Sequence, residues 1–391
     1  MWSDIRASCR APAGNSSRPR SPAWTSVTIP TDHSVMKSIE ASPELTLPGR
    51  KPIQLVDENG SAVGDLPDER VLRSLHRAMV LGRRFNRQAT ALTKQGRLAV
   101  YPSSVGQEAC EVGATLALEA DDWLFPTYRD TVAVVTRGVP AVETLTLLRG
   151  DWHSGYDPHA YRVAPLCTPL STNGPHAVGL AHAARLRGDS LAVLVFMGDG
   201  ATSEGDAHEA FNFAAVFNAP VVFFIQNNQW AISVPLSKQS KAPTLAHKAI
   251  GYGMPGYHVD GNDAAAVYTV VSEALARARS GGGPSIVEGL TYRIDPHTNS
   301  DDTNRYRDAS DAEPWRAADP LLRFNRLLGV DESAYAEEAD RMMAELRAEM
   351  NKDAHVDPDE LFEHVYAVPT PRLRAQAAAL RAELAADRGD A

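Results

Sequence analysis

The sequence predicts an α/β fold: a doubly wound, mostly parallel sheet flanked by helices, with a helical C-terminal extension. Three observations predict it. Residues 191–197 and 221–225 are short, continuous apolar runs, the pattern of strands buried on both faces. A helix-length segment, 206–218, joins them and is closed by Pro220, which gives a βαβ unit with a right-handed crossover. Strand-like and helix-like segments alternate on either side of this unit.

Residues 1–45 stand apart, being rich in Arg, Ser, Pro and Ala, with Asp4 the only acid before Asp32. A transit peptide, a disordered tail and a start at Met36 all fit this composition. Pro12, Pro19 and Pro22 would interrupt an amphipathic helix, and no apolar segment follows the early charges, so secretion is not expected. From 67 to 96, Val71, Leu72, Leu75, Met79, Leu81, Phe85 and Leu92 recur at near-helical spacing. Residues 98–101 are short and apolar, 107–118 read as a helix rich in small residues, and 123–128 lead into the sheet. Residues 153–166 mix His, Gly, Tyr and Pro without a period and read as a loop. An Ala-rich helix over 177–187 can pack closely. After the βαβ unit, 254–259 turn into a strand, 263–279 form a helix and 285–291 the next strand. Beyond 314 the chain becomes helical and charged, with amphipathic 321–328 and 334–350; the Ala/Arg-rich 373–386 reads as a surface or partner helix. The expected division is a tail (1–45), an α/β cofactor-binding domain (46–315), and a helical region (316–391) packing on that domain or on a partner subunit.

With 391 residues and 43% hydrophobic content the chain can bury a sizeable core. A net charge of −10 argues against nucleic-acid binding. No apolar run approaches the roughly 18 residues of a membrane span, so no membrane insertion is expected. Cys9, Cys110 and Cys167 are few and far apart, which suits a reducing compartment and gives no metal-ligand pattern. The expected location is the cytoplasm, or the mitochondrial matrix if the tail is a transit peptide.

The chemistry lies in Gly198-Asp199-Gly200-Ala201-Thr202-Ser203-Glu204-Gly205 and, after one helix and one strand, Asn227-Asn228. Asp199 and Asn228 then stand at the carboxyl ends of parallel strands, where open α/β sheets bind ligands. Gly198 and Gly200 allow close approach of the backbone, and amides at the start of the following helix suit a phosphate. An aspartate there would repel a bare phosphate; a divalent cation removes the conflict. One carboxylate, one amide oxygen, a backbone carbonyl near Trp230 and phosphate oxygens make a hard shell that fits Mg²⁺. The spacing therefore predicts a metal-bridged diphosphate. A dinucleotide site is disfavoured, because Gly198, Gly200 and Gly205 read G-x-G-x-x-x-x-G and the second strand ends without an acid for a ribose. Asp199 as a helix N-cap and Asn228 as a turn residue are the competing readings, and Asn227 or Glu204 to Asp206 can fill those roles.

These residues resemble the thiamine diphosphate fingerprint. More closely, the stretch from Gly198 to Ser233 resembles the α subunit of the decarboxylating component of 2-oxo acid dehydrogenase complexes, and the resemblance runs from about 72 to about 380. Gly106-Gln107-Glu108 with Val112-Gly113-Ala114, Tyr128-Arg129, Pro169-Leu170 with Ala177-Val178-Gly179, and the loop 291–307 (TYRIDPHTNSDDTNRYR) match in order. The resemblance implies that Asp199 and Asn228 ligate Mg²⁺ by side chains and Trp230 by its carbonyl. It implies that Gly200 and Ala201 offer amides to the diphosphate, that Arg129 pairs with it and that Tyr128 positions it. Leu170 would press under the cofactor, and His297 would be the acid/base group facing the reacting carbon. Thr168 stands either beside the cofactor or in a turn before Pro169. Cys167, Thr172 and Asn173 are candidates for a K⁺ site as in some relatives, against satisfied loop polar groups.

The sequence departs from the pattern at Gln226, where some branched-chain members carry a basic residue, at Thr298, a serine in regulated mitochondrial members, and at Pro296. The glutamate that activates the cofactor's aminopyrimidine has no convincing candidate; Glu108 and Glu204 are merely near motifs. The resemblance thus implies half an active site, completed by a β subunit in a tetramer of two α and two β chains that serves a lipoyl-bearing acyltransferase core. The segments NNQWAIS and SEGDAHEA favour branched-chain substrates such as 3-methyl-2-oxobutanoate, with pyruvate as the alternative. From other classes come a cofactor-free partner subunit of the same fold and a nicotinamide-dependent oxidoreductase.

Overall fold

A computed structural model of the chain describes residues 47–150, 154–353 and 357–388. The expected tail, residues 1–45, lies outside the described residues. Helix α1 (Glu69–Lys94) opens on Asp68, whose carboxylate accepts from the Val71 amide at 3.1 Å, and its apolar stripe is buried. Then come α2 (Glu108–Leu116), the short strand β1 (Trp123–Phe125), and two helices for which the sequence reading gave no element, α3 (Thr131–Thr136) and α4 (Ala141–Arg149). The region read as a loop contains one helical turn, α5 (Pro158–Tyr161), set by Asp157 as cap and Pro158 at the first position. Helix α6 (Asn173–Arg187) leads to β2 (Val193–Gly198), α7 (Gly205–Val216) and β3 (Val221–Asn227), the βαβ unit. A small hairpin follows, β4 (Trp230–Ala231) and β5 (Val234–Pro235), then α8 (Lys248–Gly251), β6 (Gly256–Asp260), α9 (Ala264–Arg277) and β7 (Ser285–Leu290). Five helices complete the described chain: α10 (Glu313–Ala317), α11 (Pro320–Leu328), α12 (Ala336–Met350), α13 (Glu360–Glu363) and α14 (Pro371–Arg388).

The sheet is parallel throughout, in the order β1-β2-β3-β7-β6. Register along β2 and β3 runs from Val193 opposite Val221 to Gly198 opposite Gln226. Side-chain alternation splits each strand between two cores. Leu194, Phe196, Val222 and Phe224 pack with α9 residues such as Val267 and Val271. Val193, Val195, Phe223 and Ile225 pack on the other face with Ala177, Ala181, Ala210 and Phe211 of α6 and α7. The alanines let these helices approach the sheet closely, and both faces are covered, as the continuous apolar runs require.

Helices α11 and α12 share a third core with α1: Phe324, Met343, Leu346 and Met350 meet Leu75, Met79 and Phe85. Buried polar ties reinforce this packing. Arg323 donates to Asp260 at 2.7 Å, and Arg83 pairs with both Glu108 and Asp319. Asp263 caps α9 through the amides of Ala265 and Ala266 and also accepts from the amides of Leu55 and Val56 at 2.7 Å each. One carboxylate therefore stitches the first described segment to the sheet. Helix α14 is mostly exposed, Ala377 being its buried residue among those described. Among the described residues no helix is long and apolar enough to cross a membrane.

Phe324 is fully buried where α11 meets α1. Phe324→Ala should cost about 3–5 kcal/mol of unfolding free energy, visible as a lower urea midpoint. A loss under about 1 kcal/mol would show that this contact is not part of the cooperative core.

Candidate active site

The carboxyl ends of β1, β2 and β3, together with the loop after β7, surround one cavity of about 440 Å³. Every site residue expected from the sequence lines it: Tyr128, Arg129, Thr168, Leu170, Gly198, Asp199, Gly200, Ala201, Asn228, Trp230 and His297. These residues are widely separated along the chain, and the parallel sheet is what gathers them.

Gly198 ends β2, and a Cβ placed on it would meet nothing within 4 Å, so the bare backbone leaves room there for a ligand. Gly200 is bare for the opposite reason: a Cβ there would stand 2.5 Å from the Cβ of Ala231. A short 3₁₀ turn, Gly200–Ser203, separates Asp199 from α7. The amides next to the cavity are therefore those of this turn, not the first amides of α7 as the sequence suggested. Asp199 is 2% exposed, and its Oδ2 accepts from Gln239 Nε2 at 3.0 Å. Burial pushes its carboxyl up to about 6, while the Gln239 hydrogen bond pulls the other way. Among the described residues no Lys or Arg forms an ion pair with it.

The two asparagines divide their work. Asn227 donates to Glu288 of β7 at 2.7 Å, and its Oδ1 accepts from the Gln229 amide. This fixes the turn in which Gln229 takes a φ of 69°. Asn228 faces the cavity, donates to Gln107 Oε1 at 3.1 Å and accepts from the Trp230 amide at 3.2 Å. Gln226 donates to Asp130, whose other oxygen accepts from Thr127 N and Oγ. Those bonds shape the turn that carries Tyr128 and Arg129.

Opposite the acidic wall stands a basic one. Arg129 donates to the Ser103 carbonyl at 2.8 Å, to His297 Nδ1 at 3.0 Å and to the His297 carbonyl at 3.2 Å. Arg293 donates to the same Nδ1 at 3.3 Å and to Tyr306 Oη at 2.8 Å. A guanidinium cannot accept, so Nδ1 must carry the lone pair and the ring proton sits on Nε2. Burial, followed by the charges of Arg129 and Arg293, pushes His297 down to about 4. Burial and the Arg129 charge likewise push Arg293 down to about 10. The loop that carries His297 is itself held. Asp301 accepts from the His297 amide and from Tyr306, and Arg307 donates to the Arg293 and Ile294 carbonyls. Within 291–307, His297 and Thr298 line the cavity, while Pro296, Asn299, Ser300, Asp302, Asn304 and Arg305 are exposed.

Other candidates turn out to be engaged. Asn173 donates to the carbonyls of Phe196 and Phe125, Thr172 to Asp206, and Cys167 to the Pro169 carbonyl. Glu108 is fully buried against Arg83 and accepts from the Gly106 amide, whereas Glu204 is exposed. Sequence reasoning gave no site role to Gln107, Asp130, Gln239 or Arg293. Their signal was weak: single polar residues beside motifs, informative only once their burial is known.

The cavity fits a metal-bridged diphosphate. Among the described residues no cluster of three His, Cys, Asp or Glu side chains could hold a metal alone. A cation at Asp199 would therefore need amide, carbonyl and ligand oxygens beside it. The buried carboxylate without an ion pair, the open space at Gly198 and the Arg129 guanidinium supply complementary charge and room. Leu170, 43% exposed, gives the cavity an apolar wall.

The depressed His297 sets a pH dependence. The unfolded chain takes up a proton below its ordinary 6.5 that the folded chain refuses down to about 4. Stability should therefore fall as pH drops through that window, and His297→Gln should flatten the slope. Urea midpoints across the window test this; an equally steep fall in the variant would refute it.

A family model described as the dehydrogenase E1 component matches residues 76–365. The 3-methyl-2-oxobutanoate dehydrogenase subunit alpha of Mycobacterium tuberculosis is 45% identical over 349 residues, covering 86% of this chain and 95% of that protein. The pyruvate dehydrogenase E1 component subunit alpha of Acholeplasma laidlawii is 37% identical, covering 82% and 96%. That of Staphylococcus aureus is 40% identical, covering 71% and 76%. With a match over most of its length and the site residues of the pattern gathered at one cavity, the chain belongs to the dehydrogenase E1 component family.

Proposed function

We propose that this chain is the α subunit of a thiamine-diphosphate- and Mg²⁺-dependent dehydrogenase that decarboxylates branched-chain 2-oxo acids, 3-methyl-2-oxobutanoate among them, and passes the acyl group to a lipoyl arm. The observation that carries the reading is the cavity itself. A buried carboxylate without an ion pair and the Arg129 guanidinium with its neutral partner His297 line the same space.

When bound, thiamine diphosphate supplies an acidic thiazolium carbon and an electron sink for loss of CO₂. The chain's own residues bind, orient and donate. Asp199, Asn228 and the Trp230 carbonyl hold Mg²⁺. The Gly200 and Ala201 amides and the Arg129 guanidinium hold the diphosphate, with Tyr128 packing beside Arg129. Leu170 and Thr168 line the wall against which the ring system lies. His297, neutral with its proton on Nε2, offers a hydrogen-bond donor to a substrate oxygen.

Of the two acids among the described residues that line this cavity, Asp199 is assigned to the cation and Asp130 is occupied by Thr127 and Gln226, while Glu108, outside the lining, is held by Arg83. The group that activates the aminopyrimidine comes from a β subunit, in an assembly of two α and two β chains on a lipoyl-bearing acyltransferase core. A K⁺ site at Cys167, Thr172 and Asn173 stays part of the proposal: Thr172 Oγ1 and Asn173 Nδ2 act as donors, which leaves oxygen lone pairs for a cation. Val100, Pro102 and Leu148 add apolar lining to the cavity, which suits a branched alkyl chain.

Two measurements test the reading. The α chain reconstituted with its β partner, thiamine diphosphate and Mg²⁺ should decarboxylate 3-methyl-2-oxobutanoate faster than pyruvate; a clear pyruvate preference would overturn the substrate assignment. Asp199→Ala should weaken Mg²⁺-dependent cofactor binding by about a hundredfold, the roughly 3 kcal/mol of a charge-assisted contact, read by calorimetry. Wild-type protein that binds no cofactor with Mg²⁺ present would instead mark a non-catalytic partner subunit.

A further inference from the structure

Gln239 follows the 3₁₀ turn Leu236–Lys238, beyond the β4–β5 hairpin, and belongs to none of the motifs read from the sequence. Its Nε2 donates to Asp199 Oδ2 at 3.0 Å and to the Val234 carbonyl at 2.9 Å. One carboxamide thereby joins the acidic residue after β2 to the hairpin that contains Trp230. Its Oε1 is buried and has no hydrogen-bond partner. That atom lies 3.3 Å from where a Cβ of Gly200 would stand, which places it against the turn beside the cavity. The segment is anchored in turn: Leu236 donates to the Gln229 carbonyl at 3.0 Å, and the Gln239 amide to Leu236 at 2.9 Å.

We propose that Gln239 is a positioning residue of the cation site: its Nε2, shared between Asp199 Oδ2 and the Val234 carbonyl, orients the Asp199 carboxylate. This rests on the reading of Asp199 as a Mg²⁺ ligand. A hydrogen bond at Oδ2 restrains rotation of the carboxylate and so narrows the directions open to Oδ1. Outer residues of this kind commonly change metal affinity by about 10- to 100-fold.

The test uses the complete α/β assembly with thiamine diphosphate at pH 8, and Mn²⁺ in place of Mg²⁺ so that bound and free metal are counted by electron paramagnetic resonance. Gln239→Leu should weaken Mn²⁺ binding at least tenfold and raise the Mg²⁺ concentration needed for half-maximal activity by a similar factor, with kcat at saturating Mg²⁺ retained. Should that variant fail to fold, Gln239→Met, of similar length and flexible, replaces it. A variant with wild-type Mn²⁺ affinity and only a lower metal-free thermal midpoint would overturn the inference and leave Gln239 as scaffold. If the wild-type assembly itself binds no Mn²⁺, the underlying reading of Asp199 falls and this inference falls with it.

Discussion

A carboxylate held almost wholly out of water without an ion pair is the constraint around which the rest of this structure is arranged. Asp199 occupies that position at the mouth of a parallel sheet, with its pKa raised toward neutrality by burial. Such a group is costly unless something compensates it, and a single amide donor compensates it only in part. The surroundings follow from the same need. Bare backbone flanks the aspartate, and the strands end so that Asp199 and Asn228 line one space.

The facing wall reverses the sign. Arg129 and Arg293 share one imidazole nitrogen and have no carboxylate between them; Asp301 acts from the side, through the His297 amide. Two cations this close tolerate each other poorly when half-desolvated, which is why burial and mutual repulsion push Arg293 down. Asp199 and Arg129 thus stand as opposite charges on one cavity without an ion pair between them. The family membership gives that geometry its chemical meaning, and the geometry explains why the family pattern needs the residues it does.

The βαβ unit was legible because its strands are uninterrupted apolar runs, and the glycine–aspartate–asparagine spacing was legible because few other arrangements require it. The C-terminal amphipathic helices announced themselves by their period. Helices α3 and α4 gave no such signal. Their apolar residues, such as Val132, Ala133, Val134 and Leu145, are set by packing against α1 and α2 rather than by a clear stripe. The 3₁₀ turn after Asp199 was likewise hidden, since nothing local distinguishes it from the first turn of a helix. Gln107 and Gln239 were illegible for a different reason. A lone glutamine has no pattern; its meaning comes from burial and from what it touches.

The two faces of β3 carry a consequence of another kind. Odd-numbered residues of this strand feed one core and even-numbered ones the other, and at its end Asn227 grips the neighbouring strand while Asn228 looks into the cavity. Gain or loss of a single codon within the strand would exchange both cores at once and turn the ligand-facing amide into the sheet. Conservative replacements along Val221 to Ile225 are survivable by repacking, but the strand's length is not negotiable, so the reading frame of pairing, more than any one side chain there, is what inheritance must preserve.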